Sequence, residues 1–141
     1  MTDHLPNEKR SWNMSRIRSK NTIPEVKVRS ILHCRGYRFR LHRKDLPGKP
    51  DVVLPKYKTV IFVHGCFWHQ HKNCNRGNTP KTNKQYWLPK LRRNVENFKK
   101  NQRKLKKLGW QVIVIWECEV KYQNKIQTMI NKIQNRVSLQ Y

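Results

Sequence analysis

Two apolar runs suited to buried strands, Thr59–Val63 and Trp110–Trp116, stand on either side of a long basic helix. That arrangement constrains the fold more than any other feature of the chain. From about Pro89 to Leu108, Leu91, Val95, Phe98 and Leu105 recur at helical spacing, with Leu88 on the same stripe. Lys and Arg line most of the other positions, and Gly109 is a fitting stop. A crossover of that length allows the two strands to lie parallel in one sheet. Upstream, Tyr37–Leu41 alternates apolar and polar, and Asp51–Leu54 is a short strand. Pro47-Gly48 and Pro55-Lys56 are turn signals, so the first three strands read as a meander. Thr22-Ile-Pro-Glu25 has the pattern of a helix start, with Thr22 as cap and Glu25 at the capping-box position. Val28, Ile31 and Leu32 form its apolar stripe, Gly36 can end it, and Cys34 is expected in its core. Ile126, Met129, Ile130 and Ile133 mark a closing helix over residues 121–137. The expectation is an α/β fold: a mixed sheet with helices on its faces. Residues 1–21 read as a basic arm, helical around 12–18, and residues 22–141 as a single domain.

Charge narrows the partners. Thirty-two Lys and Arg stand against eight Asp and Glu, a formal charge of +24. Such a chain repels itself unless a polyanion or counterions neutralise it, and nucleic acid is the common polyanion. Five Trp, five Tyr and four Phe argue for a real core and against a disordered basic tail. No run approaches the roughly 18 apolar residues of a membrane span, and the N-terminus lacks the apolar stretch of a secretory signal. A soluble cytosolic protein with no membrane partner is expected.

Segment 64–74, His-Gly-Cys-Phe-Trp-His-Gln-His-Lys-Asn-Cys, holds three His and two Cys, and Cys118 follows the last strand. Cys66, Cys74, Cys118 and one of the three His would make a Cys3His tetrahedron, the donor set of structural zinc. Spacing alone does not choose the His. The alternative is buried thiols beside a solvated His-rich loop. Among the scarce acids, Asp51 opens a strand directly after Pro50. A carboxylate there can hold Mg²⁺ against a phosphate, or serve only as a turn acceptor. Glu25 is explained by its capping box, and Glu117 and Glu119 flank Cys118, where they can support the metal or face water. An exposed Phe67-Trp68 pair beside zinc would by itself read as a local mini-core.

Three stretches carry a resemblance: Pro47-Gly-Lys-Pro-Asp51, the run from Val60 to His69 ending His-Gly-Cys-Phe-Trp-His, and the run from Gly109 to Cys118. Together, over roughly residues 9–120, the chain resembles the very-short-patch repair (Vsr) DNA mismatch endonucleases. The resemblance implies a restriction-endonuclease-like fold and Mg²⁺-dependent nicking of duplex DNA 5′ to the thymine of a T:G mismatch, the product of 5-methylcytosine deamination. It implies Asp51 and the main chain of Val63 as Mg²⁺ ligands, and Glu25 as a second active-site acid. It implies His64 and His69 as active-site histidines, with His69 the general base. Cys66, His71, Cys74 and Cys118 match zinc ligands. Phe67, Trp68 and Trp87 match side chains wedged into the base stack, and Lys90 and Asn94 match contacts to the mispaired bases. Met14 and Ile17 match the arm laid in the minor groove. It also implies mismatch-repair proteins as partners, action alongside a cytosine methyltransferase, and work at the bacterial nucleoid. A monomer is expected, because a single mismatch has no dyad.

Two departures stand out. His71-Lys-Asn-Cys74 has one residue more between zinc ligands than relatives do. The acid that supports the base histidine in relatives falls near Asn97-Phe98, where neither residue is acidic and Glu96 is the nearest substitute. The rival functions are a zinc-stabilised DNA-binding module without catalysis and a basic RNA-binding protein.

Overall fold

The computed structural model describes residues 22–41, 43–72, 74 and 81–138. The arm, its expected helix, Met14 and Ile17 lie outside the described residues. Helix α1 spans Ile23–Cys34. The Oγ1 of Thr22 accepts the Glu25 N–H at 3.5 Å, and Pro24 occupies the first turn, as the capping pattern requires. Strands β1 (Arg40–Leu41), β2 (Val52–Leu54) and β3 (Thr59–His64) follow, with a 3-10 turn at Pro55–Tyr57. Helix α2 (Lys84–Lys107), strand β4 (Gln111–Trp116) and helix α3 (Gln123–Ser138) complete the order.

The sheet order is β1-β2-β3-β4, antiparallel at the first two pairings and parallel at the third. The expected meander and parallel return are both present. Alternation within the strands separates two cores, because successive side chains point to opposite faces. Val52, Leu54, Ile61, Ile113 and Ile115 pack with Val28 and Leu32 of α1 and with Ile126, Met129, Ile130 and Ile133 of α3. Val53, Val60 and Phe62 pack on the other face with Leu105, Trp110 and the half-buried Phe98. The result is the α/β architecture read from the chain: a mixed sheet flanked by helices.

Four local expectations are corrected. Of the strand expected over Tyr37–Leu41, only Arg40–Leu41 pairs in the sheet. Helix α2 starts at Lys84, before the proline, because Pro89 sits close enough to the N-terminus to leave only the Gln85 carbonyl without its helical donor. Leu88 is 41% exposed, away from the stripe of Trp87, Leu91 and Leu105 that is buried. Cys34 is exposed, since it lies roughly 200° around the helix from the buried Leu32.

The parallel pair positions the site. β3 and β4 run side by side with His64 opposite Trp116, so the chain leaves both strands at the same end. In open α/β sheets, that carboxyl end is where ligands bind.

Candidate active site and metal centre

Asp51 stands immediately before β2, and its Oδ2 accepts the main-chain N–H of Val63 at 2.6 Å. Glu25, only 3% exposed, meets it from the first turn of α1. The two carboxyls share a hydrogen bond, and the Arg29 guanidinium lies 3.2 Å from the Glu25 carboxylate. Burial pushes the Asp51 carboxyl up to about 7; the Val63 N–H opposes this, the Glu25 charge adds to it and Arg29 subtracts from it. Near neutral pH the Asp51 carboxyl is therefore partly protonated, and a cation bound there would displace that proton. Hard oxygen donors of this kind suit a divalent metal ion. Glu25 is therefore more than a capping residue: its main chain serves the helix start while its buried side chain lies against Asp51 and Arg29.

His64 ends β3, 4% exposed, and its imidazole lies face to face with that of His69, with centroids 3.7 Å apart and planes within 8°. Both nitrogens of His64 and Nδ1 of His69 are buried without a hydrogen-bond partner among the described residues. Burial, with the neighbouring His69 second, drives the His64 imidazolium down to about 3, and burial lowers His69 too. Both rings are thus neutral at neutral pH, and a neutral imidazole can accept a proton. Among the described residues no carboxylate supports Nδ1 of His69; Glu96 is exposed on α2, and Phe98 faces the histidines in its stead.

The next turn of chain gathers a Cys3His cluster that could hold a metal ion. Cys66, His71, Cys74 and Cys118 each offer a ligand atom, all within 4.8 Å of one another. Nδ1 of His71 is 3.6 Å from the Cys66 sulfur and 3.4 Å from that of Cys118. This selects His71 from the three histidines, and the extra residue before Cys74 does not prevent closure. Both flanking acids support the loop: Glu117 accepts the Cys66 N–H at 3.1 Å, and Glu119 accepts the Trp116 N–H at 3.1 Å. Burial pushes the Cys66 thiol up to about 12 and raises Cys118 also. Such thiols lose their protons to a metal ion rather than to water. Three sulfurs and one imidazole nitrogen suit a tetrahedral metal.

Beside the histidines lies an aromatic patch. Phe67 contacts Trp68 and Trp87 edge-on at 5.3 and 5.4 Å, and Trp68 lies 5.9 Å from Trp87. Phe67 and Trp68 are half-buried rather than freely exposed. Lys90 Nζ lies 5.4 Å from the Trp68 ring and 5.9 Å from Trp87. Asn94 donates to the Trp68 carbonyl at 3.4 Å. The structure thus brings Lys90 and Asn94 to the same patch as the three wedge candidates. Sequence reasoning missed Arg29, Tyr86, Phe98 and Trp116. Only Arg29 carried a readable signal, its spacing of four residues from Glu25; Tyr86 also caps the patch, 5.0 Å from Trp87 and bonded to Lys90.

Comparison with known proteins gives the arrangement its class. A type II nicking enzyme of Xanthomonas oryzae is 48% identical over 133 residues, covering 94% of this chain and 97% of the relative. A nicking enzyme of Neisseria meningitidis is 48% identical, covering 94% of each chain. The restriction-endonuclease-like sheet here is therefore that of a DNA endonuclease. The DNA mismatch endonuclease Vsr of Escherichia coli is 39% identical over 126 residues, 89% of this chain and 80% of the relative. The family model for DNA mismatch endonuclease Vsr matches residues 2–76, and the chain belongs to that family.

Proposed function

We propose that the protein nicks duplex DNA 5′ to the thymine of a T:G mismatch left by deamination of 5-methylcytosine, and so starts very-short-patch repair with mismatch-repair proteins at the bacterial nucleoid. The observation that carries this reading is the aromatic patch that Phe67 and Trp68, on the turn that also holds His69, form with Trp87 of α2. A mispaired step is less costly to unstack than a paired one, and aromatic faces offset lost stacking by about 1–3 kcal/mol per base. The name of the Escherichia coli relative, a mismatch endonuclease, supports the same reading.

In this mechanism the +24 charge brings the protein to the phosphates. Met14 and Ile17 of the basic arm enter the minor groove. Phe67, Trp68 and Trp87 open the stack, and Lys90 and Asn94 meet the mispaired bases. Asp51 and the Val63 main chain would hold Mg²⁺, which would supply charge neutralisation at the scissile phosphate, with Glu25 beside them as the second active-site acid. His69, neutral and with no partner at Nδ1 among the described residues, is the proton acceptor, and His64 holds its ring. Zn²⁺ is the metal that three thiolates and an imidazole prefer, and its role at Cys66, His71, Cys74 and Cys118 is to shape the loop.

Two labelled duplexes differing only in T:G against T:A, presented in several methylation-site contexts with Mg²⁺ or EDTA, test the proposal. Mg²⁺-dependent nicking of the T:G duplex alone is expected. Equal nicking of both removes the mismatch reading, and full activity of Asp51→Ala removes the catalytic scheme.

A further inference from the structure

The orientation of a histidine ring is ordinarily set by the hydrogen bond its second nitrogen makes. His64 makes none among the described residues, and Nδ1 of His69 makes none. Something else must fix the two ring planes within 8° of each other. Aromatic rings from two different elements do so. Phe98 of α2 meets the His64 ring edge-on at 4.4 Å and 83°, and reaches His69 at 6.3 Å. Trp116, at the end of β4, meets the His64 ring at 5.1 Å and 77°, and His69 at 6.4 Å. Edge-on contacts of this kind are the favoured geometry between aromatic rings, because the positive edge meets the negative face. Phe98 is itself held by Phe62 of β3, at 5.1 Å and 80°. Trp116 has a second contact: its indole stacks on His71 at 4.1 Å and 9°. One side chain therefore touches both the metal cluster and the histidine stack.

We infer that Phe98 and Trp116 are positioning residues that clamp the His64–His69 stack by packing, and that Trp116 ties the orientation of the stack to the metal cluster through His71. The inference rests on the reading of His69 as proton acceptor. A ring that must face one phosphate tolerates little displacement, since a misplacement of about 1 Å can cost a hundredfold in rate. Packing is a sound substitute for a hydrogen bond here. The rings approach from two elements, and each has an independent anchor, Phe62 for one and the metal cluster with the Glu119 carboxylate for the other.

The test uses the metal-loaded full chain and a T:G duplex. Single-turnover nicking rate, duplex Kd in EDTA-free buffer without Mg²⁺, and bound metal per chain are measured for Phe98→Leu, Phe98→Tyr, Trp116→Leu and Trp116→Phe. Each leucine variant is expected to lose at least about tenfold in rate while keeping duplex Kd and metal content, and each aromatic replacement to restore most of it. In a His69→Ala background the same leucine substitutions are expected to cost nothing more, because their effect passes through that ring. Wild-type rates in the leucine variants, or losses that add fully to His69→Ala, overturn the inference. So does loss of rate in step with loss of bound metal. Wild-type rate in His69→Ala itself refutes the underlying assignment, a result distinct from these. Should a leucine variant not fold, the wild-type protein still decides: nuclear Overhauser contacts from the Phe98 and Trp116 rings to the His64 ring protons are expected, and their absence overturns the clamp.

Discussion

If Asp51 holds the divalent cation as proposed, proton competition at its carboxyl sets how tightly the cation binds. With the carboxyl poised at about 7, roughly ten of every eleven molecules carry the proton at pH 6 and roughly one in eleven at pH 8. A cation must displace that proton, so the apparent Mg²⁺ affinity should rise about tenfold between pH 6 and pH 8. The histidines do not blur this window, because burial holds His64 near 3 and lowers His69 as well. Calorimetric titration of Mg²⁺ into the full chain without DNA, at constant ionic strength, measures the effect. Asp51→Asn should abolish the binding. Affinity that is flat from pH 6 to pH 8, or binding retained in Asp51→Asn, would refute the reasoning.

The same shift makes a stability prediction with a definite sign. The folded value of about 7 lies above the usual carboxylate value of about 3.9. Folding therefore binds the Asp51 proton, and its stabilisation is complete below about pH 4 and lost as pH rises to about 7. Without Mg²⁺, Asp51→Asn should equal or exceed the wild-type Tm at pH 8, since it removes an ionised carboxylate that burial disfavours. The wild type should gain on the variant as pH falls.

Ile61 is fully buried at the centre of the sheet, and Ile61→Ala should cost about 2–5 kcal/mol in a denaturant melt, Ile61→Val about 1. Gly48 precedes the site in the Pro-Gly turn with φ +77°, and a Cβ there would fall 3.0 Å from the Asn101 Cβ. Gly48→Ala should therefore destabilise by about 1–2 kcal/mol in the same assay. Duplex binding should weaken by about a thousandfold or more between 50 and 200 mM salt if at least six phosphates are contacted; a shallow slope in a fluorescence-anisotropy series would contradict the electrostatic reading.

Periodicity was enough for the sheet and its flanking helices, because strands buried on both faces and a basic helix with one apolar stripe leave little ambiguity. Element ends were less legible. Pro89 suggested a start that Lys84 pre-empts, since a proline near the first turns costs only one hydrogen bond. Cys34 was misplaced because a thiol near an apolar stripe reads as core until its angle around the helix is counted. In the site, clustering pointed to a metal-binding Cys3His set, but spacing could not choose His71, because three histidines within eight residues offer similar reach; the family resemblance chose it, and the fold places it in the cluster. The aromatic neighbours of the histidines were invisible for a different reason. Phe98 and Trp116 lie 29 and 47 residues from His69 along the chain, and each looked like an ordinary core side chain. Arg29 escaped because a charge on a helix is usually solvated, whereas this one is drawn in by a buried acid.

The metal cluster and the candidate catalytic groups share one end of a parallel strand pair, and this has a consequence for how function should fail. The segment 64–74 leaves β3 and is tied to β4 through Cys118, through the Glu117 carboxylate and through the stack of His71 on Trp116. His69, Phe67 and Trp68 all lie on that tethered segment, whereas Trp87, Lys90 and the other Lys and Arg residues of α2 lie on a separate element that carries none of the four ligands. Cys118→Ser should therefore lower Tm by at least about 5 °C. Below that lowered midpoint it should suppress nicking and mismatch preference far more than total duplex affinity. Thermal melts, metal content and paired nicking and binding assays on the variant test this. Equal losses of nicking and of binding to fully paired DNA would mean that the cluster supports the whole domain, rather than the turn that carries the wedge and His69.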